Sequence, residues 1–360
     1  MHINQNNSSE NTTNMTRTCI PAGLFQCGTG PFPRYASALL TTLLGLSITN
    51  SAAAQIRNPN NYPEAPVKLM VGFVPGGPTD LYGRVAARAL GDALGQQVVI
   101  ENRPGGSGAI AAKAVAAAEP DGYTLLVNVV ADIITPLLNK NAGYSLLTNF
   151  VPVGLIATSP NVLVAGPGTP VDSVAALIAY ARANPGTPLS YASAGVATTS
   201  HLAGALLASE TGIAFTHIPY KGTAGAQVDL LAGRISVMFD NLPNGLANAK
   251  AGKVKALAIT SPQRWPSAPD VPTMAEAGYP GVTLTSRFGL MAPAGTPPQV
   301  VSKLSAALLR GMQDDKYRKS IIDSGSEPGA MTAADYGAYL QTESKRWAAF
   351  LARHPDIKSE

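Results

Sequence analysis

The sequence predicts an α/β protein with mainly parallel sheets covered by helices, and a length suited to two domains. Strand-like and helix-like segments alternate from residue 66 to about 260, the pattern of parallel strands buried on both faces. Two apolar runs end in small residues from which a helical pattern starts at once. They are Lys68-Leu-Met-Val-Gly-Phe-Val-Pro-Gly-Gly-Pro-Thr-Asp80 and Leu189-Ser-Tyr-Ala-Ser-Ala-Gly-Val-Ala-Thr-Thr-Ser-His201. The chain has 360 residues, enough for two domains.

The elements follow from short β-branched runs between turn residues and from 3- and 4-residue apolar spacing with Gly or Pro stops. Residues 67–73 read as a strand and 79–94 as a helix. Residues 97–101 are a strand, and 109–118 a helix that ends before Glu119-Pro120. Residues 123–130 are a strand and 133–139 a short helix. Residues 151–157 and 161–165 read as two strands with a tight connection. A helix over 171–183 is stopped by Asn184-Pro185-Gly186. Then come a strand at 189–192, a helix at 198–211, a strand at 215–218 and a helix at 223–231. A strand at 235–239, a helix at 242–251 and a strand at 254–260 complete the alternation. Residues 261–298 are irregular and Pro-rich, and helices at 297–312 and 333–352 end the chain.

The two glycine-rich junctions carry the chemistry. A strand that runs into a helix leaves free N–H groups at the helix N-terminus, aimed at whatever sits above the strand ends. That is an anion site made without a cationic side chain. Two of them could close on one small acidic ligand. In open α/β sheets ligands bind at the carboxyl ends of the strands, where both loops lie.

Composition narrows the partners. The chain is 46% hydrophobic and only 13% charged, against roughly 25% charged in an average domain. Net charge is +4 with the basic residues scattered, so nucleic acid is not an expected partner. Arg34 and the apolar stretch Ala36-Ser-Ala-Leu-Leu-Thr-Thr-Leu-Leu-Gly-Leu46 precede Ser51-Ala-Ala-Ala54. This reads as an export signal over residues 1–54, cleaved near Ala54. Both cysteines, Cys19 and Cys27, fall in that leader, so the exported chain would hold no disulfide or thiolate site.

Catalytic patterns fail one by one. Gly105-Gly-Ser-Gly-Ala109 misses the last position of a nucleophile elbow. No phosphate-binding P-loop and no dinucleotide G-x-G-x-x-G fingerprint is present. His201, His217 and His354 lack metal-ligand spacing. Neither a cofactor nor a metal is expected, and the remaining reading is a binder rather than an enzyme.

Eight segments in order resemble the periplasmic receptors of tripartite tricarboxylate transporters, the Bug-type family. They are Val74-Pro-Gly-Gly-Pro-Thr-Asp80, Val99-Ile-Glu-Asn-Arg-Pro-Gly-Gly-Ser-Gly108, Glu119-Pro-Asp-Gly-Tyr-Thr-Leu-Leu126 and Gly195-Val-Ala-Thr-Thr-Ser-His-Leu202. His217-Ile-Pro-Tyr-Lys-Gly222, Gly252-Lys-Val-Lys-Ala-Leu-Ala-Ile-Thr260, Asp270-Val-Pro-Thr273 and Leu290-Met-Ala-Pro-Ala-Gly-Thr-Pro297 follow. The resemblance implies a two-lobed periplasmic binding protein of type II, monomeric, that closes on its ligand. Lobe one would be 62–163 with a return over 287–360, and lobe two 164–286. The ligand would be a small carboxylate: a di- or tricarboxylate, an acidic amino acid or an aromatic acid. The receptor would hand it to the membrane permease subunits of the transporter. The alternative is a ligand-sensing subunit that feeds a membrane signalling protein.

The family's carboxylate grip carries over to Phe73, Pro75, Gly76, Gly77, Thr79 and Asp80, and to Gly195, Val196, Ala197, Thr198, Thr199 and Ser200. Ala131, Ala194, His201 and Asp240 complete the candidate set, with Asp240 aimed at the distal end of the ligand. Asp80 and Thr198–Ser200 also read as plain helix caps, and His201 as a support. Tyr220 and Lys221 would face the cleft by the same resemblance. Many relatives carry a Trp where Ser286-Arg287-Phe288 stands. Arg287 either faces solvent or reaches the cleft and pairs with a second ligand carboxylate.

Overall fold

The computed structural model describes residues 58–355 and 357. The expected leader, its cleavage site at Ala54, Cys19 and Cys27 lie outside the described residues.

The first parallel block is β1 (Val67–Val71), α1 (Pro78–Leu94), β2 (Val98–Asn102), α2 (Ala109–Ala116), β3 (Thr124–Asn128) and α3 (Val130–Leu138). The chain then passes α4 (Leu146–Asn149) into a 16-residue strand, β4 (Phe150–Ala165). The second block is α5 (Val174–Ala183), β5 (Leu189–Ser193), α6 (Thr199–Thr211), β6 (Phe215–Pro219), α7 (Thr223–Leu231), β7 (Val237–Asn241), α8 (Leu242–Lys250) and β8 (Lys255–Ile259). The return comprises β9 (Thr285–Pro293), α9 (Pro298–Gln313), α10 (Asp315–Asp323), β10 (Glu327–Pro328) and α11 (Ala333–Arg353).

The sheet runs β2-β1-β3-β9-β4-β7-β5-β6, with β8 and β10 also paired to β4. β1 is parallel to β2 and β3, and β5 is parallel to β6 and β7. Antiparallel β9 and β4 join the two blocks. The architecture is therefore α/β and two-lobed, with a parallel block in each lobe.

Local chemistry explains the elements. In α1, Pro78 opens the first turn and Gly95 closes the last at φ 68°, the ordinary Pro-start and Gly-stop asymmetry. Its buried Tyr82, Val85, Ala86, Ala89 and Leu90 recur at helical spacing and face the sheet. On β4 the side chains alternate. Leu163 and Ala165 join the larger core, while Val162 and Val164 join a second core with Leu230, Met238 and Leu246. A strand buried on both faces reads as a continuous apolar run rather than an alternating one.

Three expectations need correction. The two strands expected at 151–157 and 161–165 are one strand, β4. Pro160 falls where the pairing passes from β9 to β7, and a proline with no N–H is tolerated at such a changeover. The irregular stretch 261–298 contains β9, whose Gly289 and Pro293 break the usual strand composition. The helix α10, short and strongly polar, was not anticipated. In addition α3 starts at Val130, inside the strand expected at 123–130.

β9 lies hard against α11. A Cβ at Gly289 would come 2.1 Å from the Tyr336 hydroxyl oxygen, and Tyr336 is buried with its hydroxyl donating to Asn128 Oδ1 at 3.2 Å. Gly289→Ala should cost about 1–3 kcal/mol by overpacking. A lowered urea midpoint is expected; an unchanged one would show that α11 yields.

Candidate functional site

Five helices start at one cleft. Gly77, Val129, Thr198, Gly222 and Asn241 are the N-caps of α1, α3, α6, α7 and α8, and all five line it. Each helix follows a parallel strand: β1, β3, β5, β6 and β7. The cleft thus sits at the carboxyl ends of the strands of both blocks. With the first-turn residues and with Phe73, Val74, Ala194, Ser286, Arg287 and Phe288, the N-caps surround about 490 Å³ of space, counted to the mouth. Each helix N-terminus carries roughly half a positive charge. Arg287 is the one charged residue lining the cleft among the described residues. The site therefore favours an anion, held mainly by backbone.

The first glycine loop is clamped from behind. Gly76 turns at φ 86°, a left-handed conformation in which glycine carries no Cβ penalty. Its N–H donates to Asp80 Oδ2 at 3.1 Å. Arg84 Nε donates to the same oxygen at 2.8 Å, and Asn102 Nδ2 donates to Asp80 Oδ1 at 3.0 Å and to the Phe73 carbonyl at 3.1 Å. Burial pushes the Asp80 carboxyl up, but hydrogen bonds from Arg84, Asn102 and Gly76 outweigh it and hold it below the usual range. Asp80 does not line the cleft; its charge is spent on Arg84 and on the loop. α1 has no side-chain cap and Pro78 has no N–H, which leaves the first-turn N–H groups of Thr79 and Asp80 for a ligand.

The second glycine loop is satisfied largely from within. The Ala194 N–H donates to Ser200 Oγ at 3.0 Å, Gly195 N–H to Ser193 Oγ at 3.1 Å and Ala197 N–H to His201 Nδ1 at 3.2 Å. Thr198 caps α6 by accepting from the His201 N–H at 3.4 Å. The N–H groups of this loop are thus mostly taken, contrary to a fully open cradle, and those of Val196, Thr199 and Ser200 remain. Ala197 sits at φ 67°, a strained setting that costs of order 1–3 kcal/mol and persists where the surroundings impose it. The His201 and His217 rings lie 4.4 Å apart at a tilt, and Tyr191 stacks on His217 at 4.7 Å. Burial lowers both histidines, His201 to about 3 and His217 to about 4. They are neutral props, not charges.

Of the residues expected at the site, Phe73, Gly77, Thr79, Ala194, Thr198, Thr199 and Ser200 line the cleft. Pro75, Gly76, Asp80, Ala131, Gly195, Val196, Ala197, His201 and Asp240 lie outside its lining. Gly195 and Val196 instead line a neighbouring hollow with Ser107, Tyr220 and Lys221. A Cβ on Gly195, at φ 127°, would come 2.6 Å from Ser107 Oγ, so the second glycine loop meets the segment between β2 and α2 backbone against side chain. Asp240 is buried, and its Oδ2 accepts from Gln227 Nε2 at 2.6 Å. The candidate set omitted Val74, Pro78, Gly222, Thr223 and Asn241. Gly222-Thr223 and Asn241-Leu242-Pro243 are strand-to-helix junctions like the first two, and that signal was available. Arg287 is half-buried and lines the cleft, so it is not a solvent-facing side chain.

Two buried acids stand behind the cleft. Asp132 Oδ2 accepts from the Val129 N–H at 2.8 Å, while its Oδ1 has no partner; Asp240 Oδ1 also has none. Burial pushes each carboxyl up to about 7. A raised folded value means the native state binds protons more tightly than the unfolded chain, where Asp titrates near about 3.9. Their stabilisation is complete below that value and is lost as pH rises toward about 7. Asp80 acts in the opposite sense, losing its contribution as pH falls through its lowered value. His201 and His217, lowered to about 3 and about 4, act against the two acids over this window, because the unfolded imidazoles still bind protons up to about 6.5. The test is therefore a difference: as pH rises from about 4 to about 7, the melting temperature of Asp132→Asn should rise relative to that of the wild type. An identical slope in the variant would show that Asp132 does not titrate there.

The family model described as tripartite tricarboxylate transporter family receptor matches residues 82–354. Protein BugT of Bordetella pertussis is 36% identical over 311 residues, spanning 86% of this chain and 95% of BugT. An R. palustris protein solved with adipate is similar at TM-score 0.77 and 37% identity, covering 81% of this chain and 97% of its own. MatC of Rhodopseudomonas palustris, solved with bound malate, gives 0.76 and 33%, covering 80% and 99%. No helix among the described residues is long and apolar enough to cross a membrane. The chain belongs to the tripartite tricarboxylate transporter receptors, a family of periplasmic solute-binding proteins rather than enzymes.

Proposed function

We propose that this receptor captures a small carboxylate in the cleft and delivers it to the permease subunits of a tripartite tricarboxylate transporter. The observation that carries the reading is the convergence of five helix N-caps on a cleft with no acidic side chain in its lining. One carboxylate accepts from the first-turn N–H groups of α1 and α6 and from the hydroxyl of Thr223, which is buried and unpartnered at the start of α7. Thr79, Thr199 and Ser200 sit at the same turns. Hydrogen bonds to a charged group contribute about 1.5–3 kcal/mol each. Three or four suffice for a micromolar Kd, about −8 kcal/mol, after the costs of ordering. The adipate and malate bound by relatives fit this chemistry. The expected export signal places the work in the periplasm, with the leader removed near Ala54.

A thermal-shift panel of mono-, di- and tricarboxylates is expected to show one clear stabiliser. At a hundred times Kd a ligand adds about 2.7 kcal/mol, a shift of a few degrees in a chain of this size. Silence across the panel would defeat the reading. Asp80→Ala should weaken that ligand about tenfold, roughly one charge-assisted bond, because the Gly76 turn and Asn102 lose their anchor while α1 remains. Unchanged affinity by calorimetry would reduce Asp80 to a helix-terminus residue.

A further inference from the structure

We infer that Arg287 holds a second carboxylate, so that the ligand is a dicarboxylate whose anionic ends are joined by a short apolar chain. This rests on the reading of the cleft as a carboxylate site and names the ligand class within it.

Arg287 is positioned but not paired. Its Nη1 donates to the Tyr339 hydroxyl at 3.1 Å, and its Cζ lies 4.4 Å from the centroid of the same ring. Its Nε is buried without a hydrogen-bond partner. It takes part in none of the ion pairs among the described residues. A cation taken out of water without a counter-charge is costly. A guanidinium prefers planar, two-point recognition of a carboxylate. Stacking on Tyr339 fixes its plane before any ligand arrives, which lowers the ordering cost of binding.

Ser286 and Arg287, both in the lining, stand on opposite sides of β9. Successive side chains of a strand point to opposite faces. On β9, Ser286 Oγ lies 2.6 Å from Thr199 Oγ1 at the first turn of α6, while Arg287 leaves the other side toward α11. The helix termini and the unpartnered Thr223 hydroxyl mark one anionic end, and the unpartnered Arg287 Nε marks the other. Phe73, Val129, Val130 and Phe288 supply apolar lining. Methylenes suit that part of the lining.

Calorimetry on the full chain with succinate, glutarate and adipate, each against the monocarboxylate of equal length, tests this. The wild type should bind its best diacid at least about tenfold tighter than the matched monoacid, the scale of one charged hydrogen bond. Arg287→Gln should remove that preference, weakening the diacid about tenfold more than the matched monoacid. Tyr339→Phe, which keeps the stack and loses the hydroxyl, should give a smaller loss on the diacid alone. Equal binding of both classes by the wild type overturns the inference. So does an equal effect of Arg287→Gln on both, or no effect in a variant with native circular dichroism. In those cases monoacid binding leaves the carboxylate-receptor reading intact. If neither class binds, both readings fall together. Should Arg287→Gln not fold, Tyr339→Phe decides: a diacid-only loss supports the inference, and an equal or absent change overturns it.

Discussion

The fold depends on one strand serving two lobes. β4 pairs with β9 as far as Pro160 and with β7 and β8 from Asn161 or Val162 onward. At the changeover, Asn161 is fully buried and binds in four directions. Its N–H donates to Thr260 Oγ1, its Nδ2 to the Phe239 carbonyl, its carbonyl accepts from the Thr260 N–H, and its Oδ1 accepts from Ser286 Oγ. A buried polar network of this kind is stabilising only when each member is satisfied. Here it fixes β7, β9 and the end of β8 onto one residue. Ser286 then reaches Thr199, so the strand junction and the first turn of α6 share a set of hydrogen bonds.

The cleft inherits its electrostatics from that arrangement. Two parallel blocks turn the ends of their strands toward the same space, and each strand end releases a helix. Within the cleft, backbone dipoles supply the positive potential that lysines would otherwise provide. Asp80, Asp132 and Asp240 stay off the lining. Asp80 is neutralised by Arg84, and the other two are buried where the proton-bound form is favoured.

Much of this was legible before any coordinates. The alternation, the two glycine junctions, and the helices after residue 297 depend on local periodicity and stop signals, which act within a few residues. What was not legible depends on partners far away in the chain. Pro160 reads as a break until β9 and β7 lie on either side of it. β9 is disguised by Gly289, which is there because Tyr336 leaves no room for a side chain. At the site, the sequence pointed to the two loops but not to which of their N–H groups lack an internal partner. Ser193, Ser200 and His201 fill the second loop from within, a matter of rotamers rather than of motif.

A cleft built from helix ends holds a ligand that it does not summon. A helix carries no net charge, and its end effects fade within about the first turn. Exposed fields are further cut off beyond about 8–10 Å at physiological salt. The one guanidinium in the lining is tucked against Tyr339 rather than displayed. Encounter is then a matter of diffusion and of how often the cleft is accessible, so ionic strength has little hold on capture even though the ligand is an ion.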